Sequence, residues 1–314
     1  MVWTLRWSVI FSENRLAFFG IMLWNRGLRM AKSNGKTALI TGSTDGVGRL
    51  VAARLAAGGW RVLVHGRDSK RGEALVAEIK AAGGDAEFLP ADLASIAEVR
   101  RLADAVRNAT PRLELLINNA GLGSGAARTE RRTSADGHEL LFAVNYLSGF
   151  LLTHLLLPLL AKSAPARIVN VSSLGQQAID FDDVMLTQGY SGSRAYCQSK
   201  LAQILFTIDL AGELAGSGVT VNTLHPATYM NTTMVRQSGV TPISSVEEGA
   251  DAILKLAVSP ELEGKSGLYC NGQREARADA QAYDADARRK LRALSIKLTG
   301  LSAKEHASPQ RGRR

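Results

Sequence analysis

The chain has 314 residues, 46% of them hydrophobic and 21% charged, a composition that supports a folded protein with a sizeable core and argues against disorder. Its two cysteines, Cys197 and Cys270, exclude a disulfide scaffold and a Cys-based zinc site, and they suit a reducing, cytoplasmic setting. The formal charge of +9 lies at the ends: residues 1–36 carry +5 and residues 274–314 carry +6, so residues 37–273 are near neutral at −2. With only 6% aromatic residues and no basic stripe in the body, nucleic acid is not an expected partner.

Residues 1–30 are apolar and basic. Their uncharged run 16–25 is far short of the ~20 residues that a spanning helix needs. Glu13, Asn14 and Arg15 interrupt what would be the apolar region of a signal peptide. The segment reads as a loose N-terminal extension, or as sequence upstream of a natural start at Met30, in preference to an amphipathic helix lying on a membrane.

From Lys36 onward, short apolar runs at 37–41, 61–64, 86–89, 113–118, 167–171 and 219–224 predict strands covered on both faces. Helical patterns at 47–57, 69–82, 96–108, 137–160 and 194–215 separate them, and the pairs Gly58-Gly59 and Gly83-Gly84 stop the first two. This alternation predicts an α/β fold: a single doubly wound Rossmann-type domain, with a parallel sheet and helices on both faces. Residues 31–272 are expected to form this domain with its substrate site built in. Residues 273–314 would supply a C-terminal helix and a solvated basic tail.

The first strand runs through TGSTDGVG, Thr41 to Gly48, straight into a helix. Gly42, Gly46 and Gly48 let the backbone turn sharply and approach a pyrophosphate, and the helix N-terminus offers free N–H groups. Ser43, Thr44, Asp45 and Val47 are expected to line the cofactor through their backbone. The second strand ends HGRD, where an acidic residue would accept from a ribose 2′-OH; Gly66 stands there, followed by Arg67. Arg67 could pair with a 2′-phosphate, which favours NADP(H) over NAD(H), although Asp68 beside it keeps an NAD-preferring dehydrogenase as an alternative. Asp92-Leu93 follows the third strand, where a carboxylate could hold the adenine amino group or cap a helix. The fourth strand ends NNAG, containing Asn119, Ala120 and Gly121.

Tyr196 and Lys200, in YSGSRAYCQSKLAQILF, stand at i and i+4 on one helix face. They follow a strand ending VNVSS, Val169 to Ser173. Taken in order, TGSTDGVG, NNAG, Asn145 within FAVNYLSGFLLT, NVSS and YCQSK resemble the short-chain dehydrogenase/reductase family over roughly residues 36–272. VNYLSGFLLTHLLLPLL, IDFDDVMLTQGYSGSRAYCQSKLAQILFT and LHPAT are similar to its retinol-dehydrogenase-like branch, as is 284–301 to that branch's C-terminal helix.

The resemblance implies a catalytic tetrad of Asn145, Ser173, Tyr196 and Lys200, with Ser172 as the fallback serine. It also implies cofactor contacts from Tyr196, Lys200, Pro226 and Thr228. Lys200 would make the Tyr196 phenol more acidic from ~4 Å, Ser173 would hold the substrate oxygen, and Asn145 would hold a water linking Lys200 to solvent. Three positions depart from the pattern: Ala227 where Gly is usual, Asn231 near an expected Thr (with Thr232 one residue on), and Arg292 where the branch usually has Trp.

Segments 175–193 and 229–243 should shape the substrate site, with Tyr229, Met230 and Met234 as an apolar wall. The expected activity is NADP(H)-dependent interconversion of a lipophilic alcohol with its ketone or aldehyde, by a chain that forms a homo-oligomer. A non-catalytic dinucleotide sensor and a membrane-tethered enzyme are the alternatives. The five histidines show no metal-ligand spacing, so no metal site is expected; His154 and Cys197 read as structural.

Overall fold

The computed structural model describes residues 31–124 and 130–306. Residues 1–30 and the end of the basic tail lie outside it, and with them the N-terminal extension proposed above. An eight-stranded sheet forms the centre, in the order β3-β2-β1-β4-β5-β6-β7-β8. The strands are β1 (Thr37–Ile40), β2 (Arg61–Gly66), β3 (Asp85–Pro90), β4 (Leu115–Asn118), β5 (Ala166–Val171), β6 (Val219–His225), β7 (Tyr269–Asn271) and β8 (Arg274–Glu275). All neighbouring pairs are parallel except β7–β8. The strand order reverses between β1 and β4, which opens a crevice beyond their carboxyl ends, the ligand position of a doubly wound sheet.

Side-chain alternation along β1 shows why these runs are nearly continuous in apolar residues. Ala38 and Ile40 enter one core layer and Leu39 the other, as period-2 geometry requires of a strand covered on both sides. The first layer packs on helices α1 (Gly46–Ala57), α2 (Ser69–Ala81) and α7 (Val246–Val258). The second packs on α3 (Ile96–Ala109), α4 (Leu140–Lys162) and α5 (Gly192–Glu213). The short α6 (Thr233–Gln237) lies beyond β6, and α8 (Ala285–Thr299) and α9 (Ala303–His306) close the described chain.

Helix α4 begins at Leu140, three residues later than its apolar pattern predicts. Thr133 bridges Glu139 in a tight loop, and the Glu139 carboxylate caps the helix by accepting from the Phe142 N–H at 2.7 Å. Residues Ala143–Leu147 form a π turn within it. α4 is long and apolar enough to cross a membrane, but 94% of its most apolar stretch is buried inside the protein. It is a core helix. His154 on this helix is also in the core, 2% exposed, with Nδ1 2.9 Å from the Phe150 carbonyl and its ring tilted against those of Phe150 and Phe206.

Helix α8 packs across α5. Arg292 makes a fork with Asp209 (2.6 and 2.5 Å) and reaches Glu213 at 2.8 Å, while the Tyr146 hydroxyl lies 2.7 Å from Ser295 Oγ. The basic residue that departs from the branch pattern at 292 is therefore matched by two carboxylates. Gly300 ends α8 in the left-handed region at φ 60°.

Candidate active site

The glycine turn is shaped by close packing. Gly42 has φ +64°, and a Cβ there would fall 2.8 Å from Ala120 Cα; a Cβ on Gly48 would overlap the Gly42 carbonyl oxygen and Asn119 Nδ2. Asn119 donates from Nδ2 to the carbonyls of Thr41 (2.9 Å) and Gly42 (3.0 Å), and Thr41 Oγ1 accepts from the N–H groups of Asn119 and Ala120. Asn119 thus clamps the β1 turn to the end of β4. Ser43 points into the sheet, donating to the Ile40 carbonyl at 2.8 Å and accepting from the His65 N–H at 3.0 Å. Val47 is buried against α7. Gly46, at φ +53°, faces the Thr232 methyl, and Asp45 caps α1 by accepting from the Gly46 N–H at 2.7 Å. Bare backbone and the α1 N-terminus are left towards the crevice, a cradle whose shape and polarity fit a pyrophosphate.

His65 lies beneath this turn. Its Nδ1 accepts from the Gly42 N–H at 3.1 Å, and burial holds its pKa down at about 4. Sequence reasoning assigned it no role, because only the pairing of β1 with β2 brings the two together.

At the adenosine end, a Cβ on Gly66 would fall 2.5 Å from the Thr44 methyl. Any side chain at position 66 would require Thr44 to shift. Asp68 caps α2, accepting from the Arg71 N–H at 3.1 Å. Arg67 is exposed and stands 3.9 Å from Asp92. Arg71, unnoticed in the sequence, reaches Asp45 and Asp68 at 3.3 Å each. Exposed pairs of this kind are weak, so both guanidiniums can turn to an anionic ligand. Asp92 accepts from the Ala94 N–H at 3.0 Å without capping α3, whose N-cap is Ser95. Leu93 is buried and lines a cavity of about 10 Å³ with Thr41, Ala120, Asn145 and Gln203.

The four tetrad residues converge beyond β4 and β5. The two serines of VNVSS separate cleanly: Ser172 donates to the Leu224 carbonyl at 3.0 Å, whereas Ser173 lies beside the Tyr196 phenol, whose pKa it draws down, and accepts from the Gly175 N–H at 3.1 Å. Lys200 Nζ lies 5.9 Å from the Tyr196 ring centre, and it donates to the Val171 carbonyl (2.9 Å) and Gln203 Oε1 (3.0 Å). Asn145 sits in the π turn of α4, a feature common at functional sites. Its Oδ1 accepts from the Leu122 N–H at 2.7 Å, and its Nδ2 donates to the Leu122 carbonyl and to Ser199 Oγ. Both ends of the amide are engaged, so Asn145 acts here as a tie between the segment after β4 and α5. Gly121 packs closely on both residues: a Cβ there would lie 3.3 Å from Asn145 Oδ1 and 3.4 Å from Lys200 Nζ.

The electrostatics of the pair differ from the sequence expectation. Burial pushes the Tyr196 phenol up, against the easing effect of Ser173, and burial lowers Lys200 to about 7. Desolvation penalises both charged forms, and Lys200 Nζ is held by its two hydrogen bonds to Val171 and Gln203.

Beyond β6, Thr228 Oγ1 lies 3.0 Å from His225 Nε2, with Pro226 and Ala227 between them. Thr232 caps α6 and Asn231 accepts from Arg236 at 2.9 Å. The rim is apolar: Leu174, Tyr229, Met234 and Ile243 are exposed large side chains, and Tyr229 holds a strained φ of +44°. Met230 instead packs partly buried beside α7.

Residues 36–241 match the short chain dehydrogenase family. The chain is 39% identical to retinol dehydrogenase 13 of Mus musculus over 300 residues, covering 88% of this chain and 87% of that protein. It is 38% identical to retinol dehydrogenase 14 of Homo sapiens, with 85% and 87% covered. Among solved structures, the Pseudomonas aeruginosa RhlG/NADP active-site complex superposes with a TM-score of 0.63 at 30% identity, over 78% of this chain and 97% of that one. With its mostly parallel sheet and converging tetrad, the chain belongs to the short-chain dehydrogenase/reductase family, in the retinol-dehydrogenase-like branch, as an oxidoreductase acting on CH–OH groups.

Proposed function

We propose that this protein interconverts a lipophilic alcohol and its aldehyde or ketone with NADP(H), using Tyr196 as acid and base. The observation that carries the reading is the pairing of Ser173 with Tyr196 beside Lys200, with Ser172 turned away. A bound nicotinamide supplies the hydride acceptor or donor. The chain's residues handle the proton and the geometry. Tyr196 donates its hydroxyl proton to the carbonyl oxygen in reduction and takes it back in oxidation. Ser173 Oγ–H holds the same oxygen while its charge changes. Lys200 stabilises the phenolate as it forms, since its ammonium and the phenol share one helix face. Asn145 keeps the segment after β4 fixed against α5, so that these groups stay aligned.

The preference for NADP(H) is supported by Gly66, where a side chain would crowd Thr44, and by Arg67 and Arg71 beside it. The RhlG complex, which holds NADP, is a relative with the same fold. A lipophilic substrate, a retinoid, steroid or aromatic carbonyl, suits the exposed apolar rim and the names of the two retinol dehydrogenases. The free thiols of Cys197 and Cys270 suit a reducing, cytoplasmic compartment. The test is NADPH fluorescence with the purified protein and a panel of carbonyls including retinal. Consumption with at least one carbonyl, lost in Tyr196→Phe, is the expected result; tight NADPH binding with no turnover on any would reject the enzymatic reading.

A further inference from the structure

Lys200 is 5% exposed and Gln203, one turn along α5, is 4% exposed. Nothing in the dehydrogenase reading gives Gln203 a role, yet it is one of two acceptors that hold the Lys200 ammonium, at 3.0 Å, the other being the Val171 carbonyl at 2.9 Å. An ammonium has three donors and no acceptor. It therefore fixes the Gln203 amide with its oxygen towards Lys200 and its NH₂ group elsewhere. Gln203 also lines the 10 Å³ cavity beneath the site together with Asn118, whose buried Oδ1 has no hydrogen-bond partner.

The ionisable groups that face Lys200 are Tyr196 on its own helix and His225 at the end of β6, which burial and the Lys200 charge hold in the neutral form. Among the described residues no carboxylate pairs with Lys200. A buried cation with no counter-charge depends on each neutral oxygen that solvates it.

Resting on the proposed role of Lys200, we propose that Gln203 is a positioning residue whose side-chain oxygen holds the Lys200 ammonium under the Gly121–Asn145 edge of the site and keeps it protonated. Two donors are then tied down, which leaves the third near Gly121, whose Cβ would come within 3.4 Å of Nζ. Remove the Oε1 acceptor and Lys200 loses its proton at lower pH; replace it with a carboxylate and the proton stays to higher pH.

The experiment follows the side-chain amine signal of Lys200 by NMR in the full-length protein made with isotopically labelled lysine, identified by its absence in Lys200→Arg. The Lys200 titration in Gln203→Glu should move up, and in Gln203→Met down, each by roughly one pH unit or more. The limb of the kcat/KM pH profile that Lys200 governs should move in the same two directions. Melting temperatures establish that each variant is folded; should Gln203→Met not fold, Gln203→Glu alone decides. Titrations that coincide in wild type and folded variants overturn the proposal. Because the titration needs no turnover, a wild-type protein inactive on every carbonyl would reject the oxidoreductase reading and leave this one to be judged on the NMR result.

Discussion

Gly48 lies directly under Gly42, so that a Cβ on the first would overlap the carbonyl oxygen of the second and the Asn119 amide that clamps it. The clash is with backbone, which cannot move aside as a flexible side chain would. Gly48→Ala should therefore weaken NADPH binding at least tenfold and lower the melting temperature, both measurable by fluorescence titration and thermal melts. Unchanged affinity would mean that the turn does not hold the cofactor in this shape.

Tyr196→Phe removes the hydroxyl that faces Ser173 and leaves the ring in place. General acid–base groups contribute roughly 10²–10⁴ to rate, so kcat should fall by that order while NADPH affinity stays within a few-fold. Ser173→Ala should lower kcat as well, and Ser172→Ala much less, because the Ser172 hydroxyl is bonded to the Leu224 carbonyl. Equal losses from the two serines would contradict the assignment.

Most of this site was legible in the sequence. Strands such as 61–64 and 219–224 show themselves as apolar runs, and the glycine turn and the Tyr196–Lys200 spacing are local patterns. β7 and β8 were not legible, because three- and two-residue strands are too short to display a period. Helix α7 was missed although Ser245, whose hydroxyl accepts from the Glu248 N–H at 3.1 Å, marks its start by a cap three residues ahead of an acidic residue. His65, Arg71 and Gln203 owe their roles to partners brought near by pairing and packing, which no local pattern encodes. The direction of the Tyr196 shift was misjudged for a related reason: burial depth is a tertiary property.

Arg67→Ala and Arg71→Ala should each raise the KM for NADPH with little effect on that for NADH. A hydrogen bond to a charged group is worth about 1.5–3 kcal/mol, so a loss of ~10-fold or more is expected if either guanidinium meets a 2′-phosphate. Steady-state kinetics with both cofactors decides; equal changes for the two would remove the basis for an NADP(H) preference.

Lys200 makes stability depend on pH in a definite direction. Its folded pKa is about 7 against ~10.4 unfolded, so between these values the unfolded chain binds more protons and stability from this group rises with pH. The cost of burying the cation is full below pH 7 and fades towards pH 10. Lys200→Met lacks this dependence, so its stability relative to wild type should decline from pH 7 to pH 10 in urea unfolding experiments. A difference that stays flat across the range would show that Lys200 is not depressed in the folded protein.

Arg292→Leu should destabilise the fold. It removes the guanidinium that bonds both Asp209 and Glu213, whose side chains are only 14% and 15% exposed. Losing one partner of a largely buried ion pair costs roughly 2–4 kcal/mol, which should appear as a melting-point drop of several degrees. Turnover per folded molecule should be preserved, since the residue stands away from the tetrad.

The strap that α8 lays across α5 also has a bearing on how the polypeptide can be trimmed. Leu291 and Leu301 sit in the same apolar layer as the leucine-rich α4, so a version cut before Ala285 would bare a greasy flank wide enough to make molecules clump. What looks like a dispensable appendage after the last strand is the lid on the stickiest part of the protein.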